Sequence, residues 1–233
     1  MRRFVLGDVH GRFQALLDVL EASNFDSEND QLICLGDICD GGPDTMGVVE
    51  VLLQIKNLKF IVGNHDLWFK DYIFGRDSKE MWVQQGGKAT LTSYGAKLQG
   101  ASQITDQRRF YKVPTIPRTH KDFFRHATTY YYEVDNMVFV HGGFTPGKPI
   151  YNQGMLHLMW DRELIQYARS HVIPNYKEVF VGHSTTLVYG ITDPVHFNNL
   201  WVLDTGAGHC GRLTIMDVDT KEYWQSDIQP GAK

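Results

Sequence analysis

Cysteine is scarce in this chain, and its three residues, Cys34, Cys39 and Cys210, form no C-x-x-C pair. That pattern excludes a disulfide-stapled scaffold and a thiolate zinc knuckle. Cys34 and Cys39 read instead as small buried fillers. Long hydrophobic runs are missing too: no apolar stretch approaches the roughly 18 residues that a membrane-spanning helix needs. The amino terminus enters an apolar, strand-like run by Phe4, so no cleavable leader is expected. A basic excess is also absent. Lys and Arg number 23 against 27 Asp and Glu, a net charge of −4, which argues against a general nucleic-acid binder. There is no internal repeat, low-complexity tract or long linker. The expectation is a single cytoplasmic domain over 1–233 with no nucleic-acid or membrane partner; the sequence says nothing of oligomeric state.

What is present is one arrangement used five times. Short apolar runs end at glycine and at residues of metal-ligating type: Phe4-Val5-Leu6-Gly7-Asp8-Val9-His10, Ile33-Cys34-Leu35-Gly36-Asp37, Phe60-Ile61-Val62-Gly63-Asn64-His65, Val138-Phe139-Val140-His141-Gly142 and Val179-Phe180-Val181-Gly182-His183. The runs suit buried strands. A glycine at the strand end permits a sharp turn that brings the next side chain to the sheet's carboxyl edge. Taken singly, each fragment reads as an ordinary turn. Taken together, strands lying side by side would bring Asp8, His10, Asp37, Asn64, His141 and His183 to one place. Three imidazoles, two carboxylates and an amide suffice for two divalent cations, an arrangement suited to attack on phosphorus.

The rest of the chain divides by periodicity. Phe13, Leu16, Leu17 and Leu20 predict a helix over 12–24, and Met46, Val49, Leu52 and Leu53 one over 44–56. With the strands this gives β-α-β-α-β with parallel strands. Residues 67–130 break the rhythm and read as a cap of helices and loops, with an elbow at Pro114-Thr115-Ile116-Pro117. Trp68, Phe69, Tyr72 and Trp82 are expected to form the cap's own small core; the alternative is a substrate groove lined by Trp82. Strands are expected over 129–134, 137–140, 178–181, 200–203, 212–217 and 222–225, with a hairpin at Asp135-Asn136 and a helix over 161–170. That half reads as largely antiparallel, and two sheets packed face to face with helices outside are the natural architecture.

Gly7-Asp8-Val9-His10-Gly11, Gly36-Asp37-Ile38-Cys39-Asp40-Gly41-Gly42 and Gly63-Asn64-His65-Asp66 resemble the signature blocks of the calcineurin-like metallophosphoesterases. His141-Gly142-Gly143 and Gly182-His183-Ser184 match the family's later histidine blocks. Met159-Trp160-Asp161-Arg162-Glu163 and Val202-Leu203-Asp204-Thr205-Gly206-Ala207, followed by Cys210-Gly211, resemble the compact bacterial and phage branch of phosphoprotein phosphatases. The resemblance implies a four-layer α/β/β/α sandwich with mixed sheets and a helical cap insertion. It also implies a dinuclear centre with Asp8 and His10 on one cation, Asp37 bridging, and Asn64, His141 and His183 completing the second. Mn²⁺ is the first choice, with Fe or Zn as alternatives, and a hydroxide bridging the metals is the expected nucleophile.

The same resemblance places a general acid at His65, oriented by Asp40, and phosphate contacts at Arg162 and Asn64. It also shows departures. Gly41 stands where the family usually carries arginine, Leu67-Trp68 follows the third block, and Asp66 replaces the glutamate common in protein phosphatases, as in nucleotide-cleaving relatives. Arg12, Lys88 and Arg212 are the candidates to replace the missing clamp. Asp204 is expected to cap a turn, and His209 to stay clear of the cleft. His120, His126, His157, His171 and His196 are expected to be surface or satisfied core residues. The expected activity is hydrolysis of phosphomonoesters, on a phosphorylated protein or a small phosphate ester. The alternatives are a dinucleoside polyphosphate or cyclic nucleotide hydrolase, and a non-catalytic phosphate-binding module.

Overall fold

The computed structural model describes residues 1–76, 80–98, 111–112 and 115–231. The chain opens with β1 (Arg3–Leu6), α1 (Phe13–Ala22), β2 (Gln31–Cys34), α2 (Thr45–Leu52) and β3 (Asn57–Phe60). α1 buries Ala15, Leu16 and Val19 along one face. α2 starts where Asp44 accepts a hydrogen bond from the Gly47 amide at 2.8 Å, a side-chain cap that satisfies an otherwise orphaned donor. Then come α3 (Asn64–Ile73), α4 (Glu80–Trp82), α5 (Lys88–Ser93), the short pair β4 (Lys97–Leu98) and β5 (Tyr111–Lys112), and α6 (Arg118–His126). The second half carries β6 (Tyr131–Val134), β7 (Met137–Val140), α7 (Met155–Trp160), α8 (Glu163–Ala168), β8 (Glu178–Val181), β9 (Val195–Phe197), β10 (Leu200–Val202), β11 (Thr214–Asp217) and β12 (Tyr223–Gln225).

Two five-stranded sheets form, in the orders β12-β11-β1-β2-β3 and β6-β7-β8-β10-β9. The period-2 alternation of the strands builds the layers. Val5, Ile33, Phe139 and Phe180 point between the sheets, where the Phe139 and Phe180 rings stack with centroids 4.7 Å apart. Their neighbours Phe4, Leu6, Leu32 and Cys34 face the helices of the first half. Val138, Val140, Val179 and Val181 face α7 and α8. Every central strand is thus buried on both faces, which is why these runs are apolar throughout rather than alternating. The result is the four-layer α/β/β/α sandwich.

The second half is largely antiparallel as expected, β11 with β12 and with β1 included, but the centre of its own sheet is corrected. β7 pairs with β8, and β8 with β10, in parallel; β6–β7 and β9–β10 are antiparallel. The reason is the chain between β7 and β8, which carries α7 and α8 across the sheet and returns in the same direction. β9 was not anticipated, because Val195-His196-Phe197 is too short to show a pattern. The cap's separate core is corrected as well. Phe69 and Trp82 are buried in one cluster with Phe4, Leu16 and Val49, and Trp68 and Tyr72 pack against that cluster. α3 and α6 pack against each other, and α2 packs on α5. Trp82 is 1% exposed and lines no groove. Of the expected 114–117 elbow, Pro114 lies outside the described residues.

Phe180→Ala removes one of two stacked rings from the seam between the sheets. A loss of about 3–5 kcal/mol in urea unfolding is expected. A loss below about 1 kcal/mol would mean that the sheets are not held by this contact.

Candidate functional site

The parallel strands of both sheets end at one edge, and the ligand-type residues stand on the turns just beyond. Two of the motif glycines are there to make room. A Cβ on Gly63 would fall 2.1 Å from Asp37 Oδ1, and a Cβ on Gly182 would fall 2.2 Å from Asp8 Oδ1. The turns are also strained. His10, Asp37, Asp40 and His183 all take left-handed backbone angles, with φ of 49, 49, 72 and 59°. Non-glycine residues seldom hold this conformation, and clusters of it mark functional sites. Asp8 and His10 do meet, but through this turn rather than by the alternation of an extended strand. Asn64 and His65 likewise do not continue β3; they open helix α3.

Two groups of side chains could each hold a cation. Asp8, His10 and Asp37 form one; Asp37, His141 and His183 form the other, and within each group the ligand atoms lie within 4.8 Å of one another. Asp37 is common to both. His141 Nε2 lies 3.2 Å from Asp37 Oδ2 and 3.1 Å from Asn64 Oδ1, which puts the amide beside the second group. The imidazoles are held from behind. His141 Nδ1–H donates to the Leu35 carbonyl at 2.8 Å, and His10 Nδ1–H to the Cys39 carbonyl at 3.1 Å. Each ring therefore turns its Nε2 to the centre, as a ligating histidine does. Asp8 Oδ1 and His183 Nε2 are buried without a hydrogen-bond partner. Buried polar atoms are rarely left so, and two of them aimed into an O/N-donor cluster fit a pair of divalent cations.

The charges tell the same story. Burial, and then repulsion from His65, lowers His10 to about 4; burial, and then repulsion from His141, lowers His183 to about 3. Both rings are neutral near pH 7, the form that ligates. Asp8 is pushed well up by burial and then by Asp204, and Asp204 itself is raised by burial. Cations would relieve both. Against the cost of burial, Asp37 raises His141 to about 10, and His141 holds Asp37 below the usual carboxylate range. The two form an ion pair in the absence of metal.

His65 stands beside this centre. Its Nδ1 meets Asp40 Oδ2 at 2.7 Å. Asp40 is fully buried and receives two further donors: the Trp82 indole N–H at 2.8 Å, and the Thr90 hydroxyl at 2.7 Å on its other oxygen. Thr90 Oγ1 in turn accepts the Asp40 amide at 2.9 Å. Burial works to lower His65, but the charge of Asp37 and the bond to Asp40 raise it above the ordinary histidine value. Trp82 and Thr90 were not anticipated as parts of the site. They lie 42 and 50 residues from Asp40, and no local motif announces them.

Asp66 does not face substrate at all. It is fully buried, and burial followed by the charge of Asp37 raises it to about 6. Its oxygens accept the amides of Asp37 (2.7 Å), Gly63 (3.0 Å), Ile38 (2.9 Å) and Cys39 (3.3 Å). It ties the turn after β2 to the start of α3.

A cleft of about 500 Å³ opens over the centre, lined by Asp8, His10, Asp37, Asn64, His65 and His183 together with Gln84, Gln85, Trp160 and Arg162. Arg162 is exposed at the start of α8 and donates to Ser184 Oγ at 3.2 Å. Among the described residues it is the one guanidinium or ammonium lining the cleft. The three expected substitutes are elsewhere. Arg12 donates to the carbonyls of Ala207 and Pro230, Arg212 to that of Ser226, and Lys88 does not line the cleft. Asp204 does cap its turn, accepting the Gly206 amide at 3.0 Å, but it also lines the cleft. His209, expected to stay clear, lines it too. His120 is a satisfied core residue between Tyr94 and Glu50.

Comparison with known proteins agrees with this geometry. The family model "Calcineurin-like phosphoesterase" matches residues 1–190. Serine/threonine-protein phosphatase 1 of Salmonella typhimurium is 28% identical over 216 residues, covering 91% of this chain and 89% of that protein. A symmetrical bis(5'-nucleosyl)-tetraphosphatase of Nitrosomonas europaea is 25% identical over 147 residues, 63% of this chain and 46% of that one. The crystal structure of a protein provisionally assigned as a diadenosine tetraphosphatase superposes with a TM-score of 0.69 at 18% identity, covering 97% of this chain and 92% of that chain. That likeness speaks for the fold.

Because His141 is raised to about 10 without a cation, it carries a proton at pH 7 that a ligating Nε2 must give up. Divalent-cation binding is therefore expected to release about one proton and to weaken as pH falls. Titration calorimetry in buffers of different ionisation enthalpy reads this directly. Heats that are the same in every buffer would mean that His141 is not displaced from its proton.

Proposed function

Since this chain belongs to the calcineurin-like phosphoesterase family and is thereby a hydrolase of phosphate esters, we propose that it is a two-cation phosphomonoesterase of the serine/threonine protein phosphatase type. The observation that carries the reading is the sharing of Asp37 between two ligand groups whose remaining buried atoms, Asp8 Oδ1 and His183 Nε2, have no other partner. When bound, the cations supply Lewis-acid activation of a water and of the phosphoryl oxygens. Mn²⁺ suits the mixed imidazole and carboxylate donors, with Fe or Zn as alternatives.

The chain's own residues do the rest. Asp8 and His10 would hold one cation and Asn64, His141 and His183 the second, with Asp37 common to both groups. Arg162, exposed at the cleft, takes phosphoryl oxygens, with Asn64 beside it. His65, raised above the ordinary histidine value by its two carboxylate neighbours, gives a proton to the leaving-group oxygen. Asp40 fixes the ring through Nδ1, so that Nε2–H is the donor. Trp82 and Thr90 hold Asp40 in place and, with His65, offset part of the rise that burial gives its carboxyl.

Support for a protein substrate comes from the relative named a serine/threonine-protein phosphatase, which aligns over most of both chains. The relative named a tetraphosphatase aligns over less than half of its own length, and dinucleoside polyphosphate hydrolysis is the second reading. Initial rates of the Mn²⁺-loaded protein on a phosphoserine/phosphothreonine peptide and on diadenosine tetraphosphate decide between them. A faster rate on the peptide supports the proposal; a faster rate on the dinucleotide replaces it with the second reading.

Two variants test the roles. Asp37→Ala is expected to lose both cations, measured by metal analysis after gel filtration; retention of two equivalents would remove the bridging role. His65→Ala is expected to keep both cations and to slow a phosphoserine peptide by about 10²–10⁴-fold. p-Nitrophenyl phosphate, whose leaving group needs no proton, should slow far less. Equal losses on both esters would remove His65 as the acid.

A further inference from the structure

The segment between Trp82 and Thr90 does more than hold Asp40. Its ends are pinned there by the indole and the hydroxyl. Its middle, Val83–Gly87, is a widened helical turn in which Gln85 and Gly86 leave helical geometry, Gly86 with φ of 110°. This turn lies directly on the loop that carries Asp40 and Gly41. The Gly41 amide donates to the Gly86 carbonyl at 3.3 Å. A Cβ on Gly86 would come within 2.7 Å of Gly41 N and 3.1 Å of Asp40 Cβ. Only glycine lets the turn close so far over the loop.

That closure places two carboxamides in the wall of the cleft. Gln84 and Gln85 are exposed and line the cleft, and neither side chain makes a hydrogen bond to another described residue. Gly41, against which the turn sits, presents no side chain, and His65 lies one residue contact away through Asp40. On its other side His65 packs edge-on against Trp68, at 4.9 Å, and Trp68 against the exposed Trp160, at 5.5 Å. A leaving group departing past His65 therefore passes between an indole wall and two carboxamides. Neither wall carries charge. The described cationic side chain in the cleft, Arg162, sits with Ser184 beside His183 instead.

We propose that Gln84 and Gln85 are the specificity-determining residues for the leaving group, and that they select an uncharged, hydrogen-bonding group such as a peptide backbone over a further phosphate. A carboxamide offers both a donor and an acceptor, which complements a peptide unit. A polyphosphate chain is acceptor-only and multiply negative, and among the described residues it would meet one guanidinium and no other arginine or lysine side chain lining the channel. The proposal rests on the phosphomonoesterase reading above.

The test compares three proteins, each loaded with Mn²⁺ and checked for two bound equivalents: wild type, the double variant Gln84→Ala/Gln85→Ala, and Gln85→Arg. The substrates are a phosphoserine peptide, p-nitrophenyl phosphate and diadenosine tetraphosphate. In the double variant the ratio of kcat/KM for the peptide to that for p-nitrophenyl phosphate is expected to fall about tenfold, the size of a lost pair of neutral hydrogen bonds, mostly through KM. In Gln85→Arg the ratio of tetraphosphate to peptide is expected to rise by about fivefold or more. Unchanged ratios in both variants would overturn the proposal. So would an equal loss on peptide and p-nitrophenyl phosphate, which would show a structural role for the turn. A wild type that hydrolyses neither monoester while holding both cations would instead overturn the phosphomonoesterase reading on which the proposal stands.

Discussion

The carboxylate of Asp37 sits where the two sheets meet, and most of the site is organised around it. One oxygen lies 3.2 Å from His141, which comes from the second sheet, and 4.0 Å from His10, which follows the first strand of the first sheet. The other accepts the backbone amide of His65 at 2.9 Å, which fixes where α3 begins. Placing a buried carboxylate among these elements is costly unless it is paired. The fold answers with a glycine at position 63 that leaves the space, a left-handed turn at Asp37 itself, and a second buried carboxylate, Asp66, gripping the turn from behind. Remove the reason for Asp37 and none of these features has a purpose.

Two layers of support can be separated by what they do to charge. Asp66 spends its oxygens on four backbone amides, with the buried Cys39 thiol as a further partner. Its work is mechanical: it welds the β2 turn to α3, and so sets the distance from Asp37 to Asn64. Asp40 works through a titratable partner. Its bond to His65, braced by Trp82 and Thr90, changes the protonation of a ring that lines the cleft. The neutral His10 and His183 and the raised His65 share one small volume, yet burial dominates in the first two and carboxylate neighbours in the third. That divergence is what the proposed division of one cleft between ligands and a proton donor requires.

Much of this was legible in the sequence because it lies in short contiguous blocks. The five strand-glycine-ligand fragments each report a strand end, and strands of a parallel sheet end together, so convergence of Asp8, His10, Asp37, Asn64, His141 and His183 follows from pattern alone. The glycines were readable as turn formers, though not as the cavities for Asp37 and Asp8 that Gly63 and Gly182 provide. What escaped reading depends on distant pairs. Trp82 looked like core, and it is core; its indole nitrogen is the part that matters, and nothing near position 82 points to Asp40. The parallel pairing of β7, β8 and β10 escaped because α7 and α8 are each only six residues long and leave a weak periodic signal. Arg12, Arg212 and Lys88 were candidates by charge alone, and charge says nothing of which way a side chain turns.

The position of Asp66 bears on substrate in a way the sequence could not reveal. Read as a letter in a motif, an aspartate there leans toward nucleotide-cleaving relatives. Seen in place, it is sealed from the cleft and bonds backbone amides and the Cys39 thiol, so its shorter side chain reports the spacing between two turns rather than a contact with the ester. Information about the ester has to come from groups that the leaving group meets. Among the described residues these include Trp160, Gln84, Gln85, Thr185, Asp204 and His209, with Arg162 the one guanidinium or ammonium. On the proposed reading such a cleft would meet one phosphoryl group with the cations and Arg162, and would present the leaving group with the amides of Gln84 and Gln85 and the indole of Trp160. Discrimination by such a wall works through unmet charge: a second phosphate would be desolvated without a partner, which costs more than a missing contact.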